Sequence, residues 1–192
     1  MRLRVMLVDR DPERAELLEE ALAEAGHRVI ARIEDNAGLA CQVAQFKPDV
    51  IVIDMEAPGR DTLEQMREIS RDQPKPIIFF SDERDPDYIR QAVKAGVSAY
   101  VVDGLSRERV MPIVEVAVAR FREFQDLRDE LENTKTQLAD RKVIDKAKGL
   151  LMKKKNMGED QAYQFLRKTA MSRNLKLIEV ARVVVAMEES LF

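Results

Sequence analysis

Seven of the fifteen residues in the stretch 141–155, RKVIDKAKGLLMKKK, are Lys or Arg, set against the single acid Asp145. Val143, Ile144, Ala147, Leu150 and Leu151 recur there at three- and four-residue steps, the spacing of an amphipathic helix. A basic helix face attracts a polyanion, although charge alone leaves open the plainer reading of a solvated surface. A second set of residues is acidic. Asp9 and Asp11, Asp54 and the hydroxyl residue Ser81 each follow a short apolar run. Carboxylates that converge at strand ends can hold a divalent cation. His27 and Cys41 are the sole residues of their types, too few for a zinc cluster, and both read as structural.

The charge is divided unevenly along the chain. Residues 141–192 carry 12 Lys/Arg and 6 Asp/Glu, a net of +6; residues 1–140 carry the remaining 20 and 29, a net of −9. A chain of 192 residues has room for one ordinary domain and a smaller one, and at 45% hydrophobic and 35% charged it can bury a core and stay soluble. No run approaches the ~18 apolar residues of a membrane helix. The N-terminus enters an apolar run and then Asp9 without a cleavable-signal pattern, and the single cysteine fits a reducing compartment, so the expected location is the cytoplasm.

The elements that must position the acids alternate. Strands are predicted at Leu3–Val8, Val29–Ile33, Val50–Ile53, Ile77–Phe80 and Ala99–Val102. Between them lie helical patterns: one opened by Asp11-Pro12 and stopped at Gly26, then Gly38–Phe46, Thr62–Arg71, and Pro86–Ala95 ended by Gly96. The β-branched run Val50–Ile53 suits a strand buried on both faces. Repeated strand–helix units imply a five-stranded parallel sheet covered by helices, an α/β fold in which function gathers at the carboxyl ends of the strands.

The segments LVDRDP, VIVIDMEAP, IIFFS and GVSAYVV, in that order, resemble the receiver domain of two-component response regulators over about residues 1–120. The resemblance implies a flavodoxin-like fold, Asp54 (four residues before Pro58) as phosphoacceptor, Ser81 as the hydroxyl contacting the phosphoryl group and Tyr100 as the aromatic switch. It also implies Mg²⁺ held by Asp9, Asp11 and Asp54, with no other cofactor required. Two departures stand out. Arg10 occupies the place of the family's second acid, for which Asp11 would have to swing in, and Asp103-Gly104 replaces the family's Lys-Pro pair. Losing a cation and adding an acid weakens stabilisation of an anionic group. The pocket is therefore read as that of a pseudo-receiver answering to a protein partner, with phosphorylation of Asp54 as the alternative.

After Ser106, a candidate N-cap, Ile113, Ala117, Arg120, Phe124, Leu127, Leu131, Thr134 and Leu138 step by threes and fours. Six of these eight are apolar, which predicts a coiled-coil linker over 106–140 and a parallel homodimer. A helix folded back on its own receiver is the competing reading.

Residues 141–192 read as three helices: the basic segment ending near Asn156, a second opened by Gly158-Glu159-Asp160, and a third after Asn174 built on Leu177, Ile178, Ala181, Val184, Val185 and Glu188. RKVIDKAKGLLM at 141–152, AYQFLRKTAM at 162–171 and the spaced Leu175, Ile178 and Ala181 resemble the ANTAR domain, an RNA-binding antitermination module. The whole chain is similar to ANTAR response regulators of nitrate assimilation. That resemblance implies a non-enzymatic regulator whose partners are paired hairpins in leader mRNA and a nitrate-sensing regulatory protein or sensor kinase. By motif position, Arg141, Lys148 and Gly149 are the first candidates for RNA contact, followed by Arg167, Lys168 and Arg173. Tyr163 is read as a core aromatic more readily than as a stacking ring. Ala147 and Gly149 either admit RNA closely or mark a helix crossing. A DNA-binding regulator with a C-terminal helix-turn-helix is the alternative, although the most basic helix would then precede the turn. Docking of the basic face on an acidic protein is a third reading.

Overall fold

The computed structural model describes residues 2–34, 38–55, 59–102 and 107–189. Pro58, Asp103-Gly104 and the Ser106 cap lie outside the described residues. Two compact units divide the chain, Met1–Gln125 and Asp126–Phe192.

The first unit is the expected parallel α/β sheet. Strands β1 (Arg4–Asp9), β2 (Arg28–Ile33), β3 (Val50–Asp54), β4 (Ile77–Phe80) and β5 (Ala99–Val101) are ordered β2-β1-β3-β4-β5, every neighbouring pair parallel. The period-two alternation of strand side chains splits the apolar runs between two cores. Val5, Leu7, Val50, Val52, Ile78 and Phe80 pack with α1 (Pro12–Glu24) and the start of α5 (Arg107–Lys155). Met6, Val8, Ile51, Ile53, Ile77 and Phe79 pack with α2 (Leu39–Phe46), α3 (Arg60–Asp72) and α4 (Pro86–Lys94) on the other face. All five residues of β3 are buried, as the β-branched run requires. Register then sets the site: Asp9 pairs with Asp54 across β1 and β3, and Asp54 with Phe80 across β3 and β4, one residue before Ser81.

Turn chemistry bounds two of these helices. Asp11 caps α1 with Pro12 behind it, and Asp85 caps α4 before Pro86. Gly96 closes α4 at φ +101°, where a Cβ would run into the Ser70 side chain. Gly96→Ala is expected to cost about 2–5 kcal/mol, combining left-handed strain with overpacking. A lower urea midpoint with an unchanged slope would show it. A shift worth under about 0.5 kcal/mol would mean that Ser70 yields without penalty.

The linker and the basic helix that follows it, expected as separate elements, are one 49-residue helix, α5. Residues 113–148 contain neither Gly nor Pro, so nothing in the chain interrupts it. It stops where Asn156 turns to φ +50°. The first two positions of the expected seam belong to the receiver instead. Ala117 is fully buried in the receiver core and Ile113 packs against the same cluster, whereas Phe124, Leu127, Leu131 and Leu138 are each more than half exposed.

In the second unit α6 (Glu159–Arg173) and α7 (Leu177–Glu189) pack with the end of α5 around Ala147, Leu151, Ala162, Leu166, Ala170, Val180 and Ala181. Gln161 accepts a hydrogen bond from the Gly158 N–H at 3.1 Å to cap α6. Asn174, left-handed at φ +53°, ends it, with the Leu175 N–H bonded to the Ala170 carbonyl at 3.0 Å.

Candidate functional site

Asp9, Asp54 and Ser81 are buried at the carboxyl ends of β1, β3 and just past β4. Asp11 does not swing in beside them. Its Oδ1 accepts from the backbone N–H groups of Glu13 and Arg14 at 2.9 and 3.4 Å, and its own N–H donates to Asp9 Oδ1 at 2.8 Å. The cation that enters the pocket is Arg14, from the first turn of α1. Its guanidinium lies 3.3 Å from Asp9 Oδ1, 3.5 Å from Asp11 Oδ2 and 3.7 Å from Asp54 Oδ1. Asp9 Oδ2 is buried without a hydrogen-bond partner.

The electrostatics follow from this packing. Burial pushes the Asp54 carboxyl up to about 6; Arg14 pulls it down, while Asp9, Asp82 and Asp11 add to the rise. Burial by itself would lower the Arg14 value, but Asp54, Asp9 and Asp11 outweigh it and leave the guanidinium raised. Beyond Ser81, whose Oγ accepts from the Glu83 N–H at 3.1 Å, Tyr100 folds inward and donates its hydroxyl to the Glu83 carbonyl at 3.0 Å. Its ring stacks on Phe79 at 5.4 Å and meets Tyr88 edge-on at 6.4 Å. Burial raises the Tyr100 pKa despite a hydrogen bond with Ser81 that lowers it. Tyr100 is thus tied to the loop that carries the pocket hydroxyl.

The second unit offers a different surface. A shallow groove of about 410 Å³ is lined by Arg141, Ile144, Lys148, Tyr163 and Leu177, among others. Tyr163 is 41% exposed, so the expectation of a core aromatic fails. Its neighbours Ala162 and Leu166 fill the core-facing stripe of α6 and turn it outward. Arg167, one helical turn on, shares the Tyr163 face, whereas Lys168 lies about 140° round the axis from that ring. Arg167, Lys168 and Arg173 are all exposed.

Lys148 is held differently from the other cations. Its Nζ is 2.8 Å from both Asp145 and Glu159, with the side chain only 16% exposed, which ties α5 to the first turn of α6. Those two carboxylates raise its pKa. Ala147 is fully buried in the helix crossing, while a Cβ at Gly149 would meet nothing within 4 Å. The two small residues therefore separate: Ala147 serves the crossing and Gly149 faces open space.

Comparison with known proteins agrees with both halves. The response regulator receiver domain matches residues 5–115 and the ANTAR domain matches residues 132–185. This chain is an ANTAR-domain response regulator. The regulator is 32% identical over 167 residues to the transcriptional regulatory protein PdtaR of Mycobacterium tuberculosis, covering 87% of this chain and 82% of that one. It is 37% identical over 81 residues to the nitrate regulatory protein of Klebsiella oxytoca, covering 42% of this chain and 20% of that protein. Among solved structures, the receiver domain of NarL from M. tuberculosis superposes with TM-score 0.55 at 22% identity, over 62% of this chain and 97% of that one, a likeness of fold. No helix of the described residues is long and apolar enough to cross a membrane.

Sequence reasoning placed Asp9, Asp54 and Ser81 together and missed Arg14. A signal was present. A cation in the first turn of a helix opposes the helix dipole, so an arginine two residues after an N1 proline needs another reason to be there.

Proposed function

We propose that this regulator binds paired hairpins in leader mRNA and promotes transcription antitermination, with residues 1–120 as control, 106–140 as a dimerising linker and 141–192 as the RNA-binding part. The observation that carries the reading is the groove that Arg141 and the exposed Tyr163 both line. A cation next to an aromatic face supplies a phosphate contact and a stacking surface for an unpaired base. Arg167 extends the same face, Gly149 leaves room for close approach, and Lys168, Arg173 and Lys153–Lys155 add general attraction. Lys148 acts chiefly by fixing the groove wall through Asp145 and Glu159. The exposed Phe124, Leu127, Leu131 and Leu138 stripe suits a parallel homodimer, which would present two grooves to two hairpins.

The input is proposed to be a protein. Arg14 already neutralises the acidic pocket, which favours a nitrate- or nitrite-sensing partner over phosphorylation of Asp54 by a sensor kinase; the partial likeness to a nitrate regulatory protein supports the same signal. The compartment is the cytoplasm. A DNA-reading helix-turn-helix is disfavoured because Arg182, the one basic residue of α7, is paired with Asp140 at 3.1 Å.

Gel shifts with a two-hairpin leader RNA and the DNA duplex of the same sequence test this. RNA is expected to bind preferentially, with affinity falling as salt rises. Arg141→Ala and Tyr163→Ala are each expected to weaken it about tenfold or more. Preference for the duplex would sink the reading.

A further inference from the structure

The receiver fold carries an expectation of Mg²⁺ among its carboxylates, and the residues of this pocket do not fit one. Mg²⁺ demands near-octahedral oxygen ligands at close range, one or two of them carboxylates, in a cavity it can enter. Here Asp11 is turned back onto the N-terminus of α1 as its cap. Among the described residues, no three His, Cys, Asp or Glu side chains stand together in a way that could hold a metal ion. Between Asp9 and Asp54 lies a guanidinium.

We propose that Arg14 is the resident counter-cation of this pocket, and that its guanidinium and a divalent ion exclude one another there. Three observations converge. Asp9 and Asp54 are both buried and sit opposite each other in the β1–β3 register, so two carboxylates leave water side by side and need positive charge. Arg14 supplies it within 3.3 Å of Asp9 and 3.7 Å of Asp54. It does so from the helix turn where a cation is least favoured, at the third position after the Asp11 cap. Guanidinium is delocalised and weakly hydrated, which lets it serve several carboxylates at once. The arrangement leaves Asp9 Oδ2 buried and unpartnered. Removing Arg14 would leave both acids uncompensated, a far better place for a metal.

The test is Mn²⁺ binding to the full chain, followed by loss of the free-ion spin-resonance signal, with thermal unfolding with and without Mg²⁺ as a second readout. Arg14→Gln is expected to bind Mn²⁺ at least tenfold more tightly than the wild type and to regain with Mg²⁺ the melting temperature lost by the substitution. Adding Asp54→Asn to Arg14→Gln should abolish the gain. Arg14→Lys keeps one charge but cannot fork between carboxylates, and should bind severalfold more tightly than the wild type. It keeps the test decisive if Arg14→Gln does not fold. Equal affinity in the wild type and the folded variants, or tighter binding by the wild type, overturns the proposal.

Discussion

Leu166→Ala is expected to unfold the output unit and leave the receiver standing. Leu166 is fully buried in a cluster that also holds Ala147, Ala162, Ala170 and Ala181. Leu151, Val180 and the partly buried residues around them can close only part of the space, so the loss should lie near the middle of the range for leucine truncation, about 3–4 kcal/mol. A unit of this size has only a few kcal/mol of stability in all, on the order of 0.05–0.15 per residue. Far-UV circular dichroism should report lost helix, and RNA binding should vanish with it. The receiver transition in urea should stay put. Retention of full helicity and RNA affinity would show that the α5–α6–α7 core is not what holds the groove together.

Asp54→Asn is expected to stabilise the receiver at neutral pH by about 2–3 kcal/mol, because burial lifts the Asp54 pKa from 3.8 to about 6 and each unit is worth about 1.4 kcal/mol. The folded acid holds its proton to higher pH than the unfolded one. Between about pH 4 and pH 6 the folded state therefore binds more protons, and stability falls as pH rises through that window. Above it the carboxylate is ionised in both states and the penalty is fully present. Asparagine lacks the penalty, so its advantage should be greatest at pH 7.5 and shrink towards zero near pH 4. Urea unfolding at several pH values would trace this. A constant difference across the range would place the effect in packing instead of ionisation.

The groove depends on a division of labour that residue type alone does not reveal. Arg141 and Lys148 are both cations on one helix, yet Arg141 is exposed and Lys148 sits between two carboxylates. Charge-based reasoning ranks them equally; the approach of Glu159 across the helix junction separates them. Tyr163 and Ala147 were likewise ambiguous from spacing, since helical periodicity gives a residue's direction only once the packed face is known.

Much of this protein was legible in its sequence. Strand alternation, Asp-Pro caps and glycine stops specify a parallel α/β unit, because each is a local rule whose physical basis needs no distant partner. The motifs that bring Asp9, Asp54 and Ser81 to the strand ends were readable for the same reason, since parallel register aligns them once the strands are known. The charge division between residues 1–140 and 141–192 set the C-terminal part of the chain apart. What the tertiary structure decided was everything that depends on contacts between elements. It joined linker and output helix into one α5, drew Ile113 and Ala117 into the receiver core, turned Tyr163 outward and occupied Lys148 with acids. It also placed Arg14 among the carboxylates. A charge's partner is chosen by burial and distance in three dimensions, and no spacing rule along the chain carries that information.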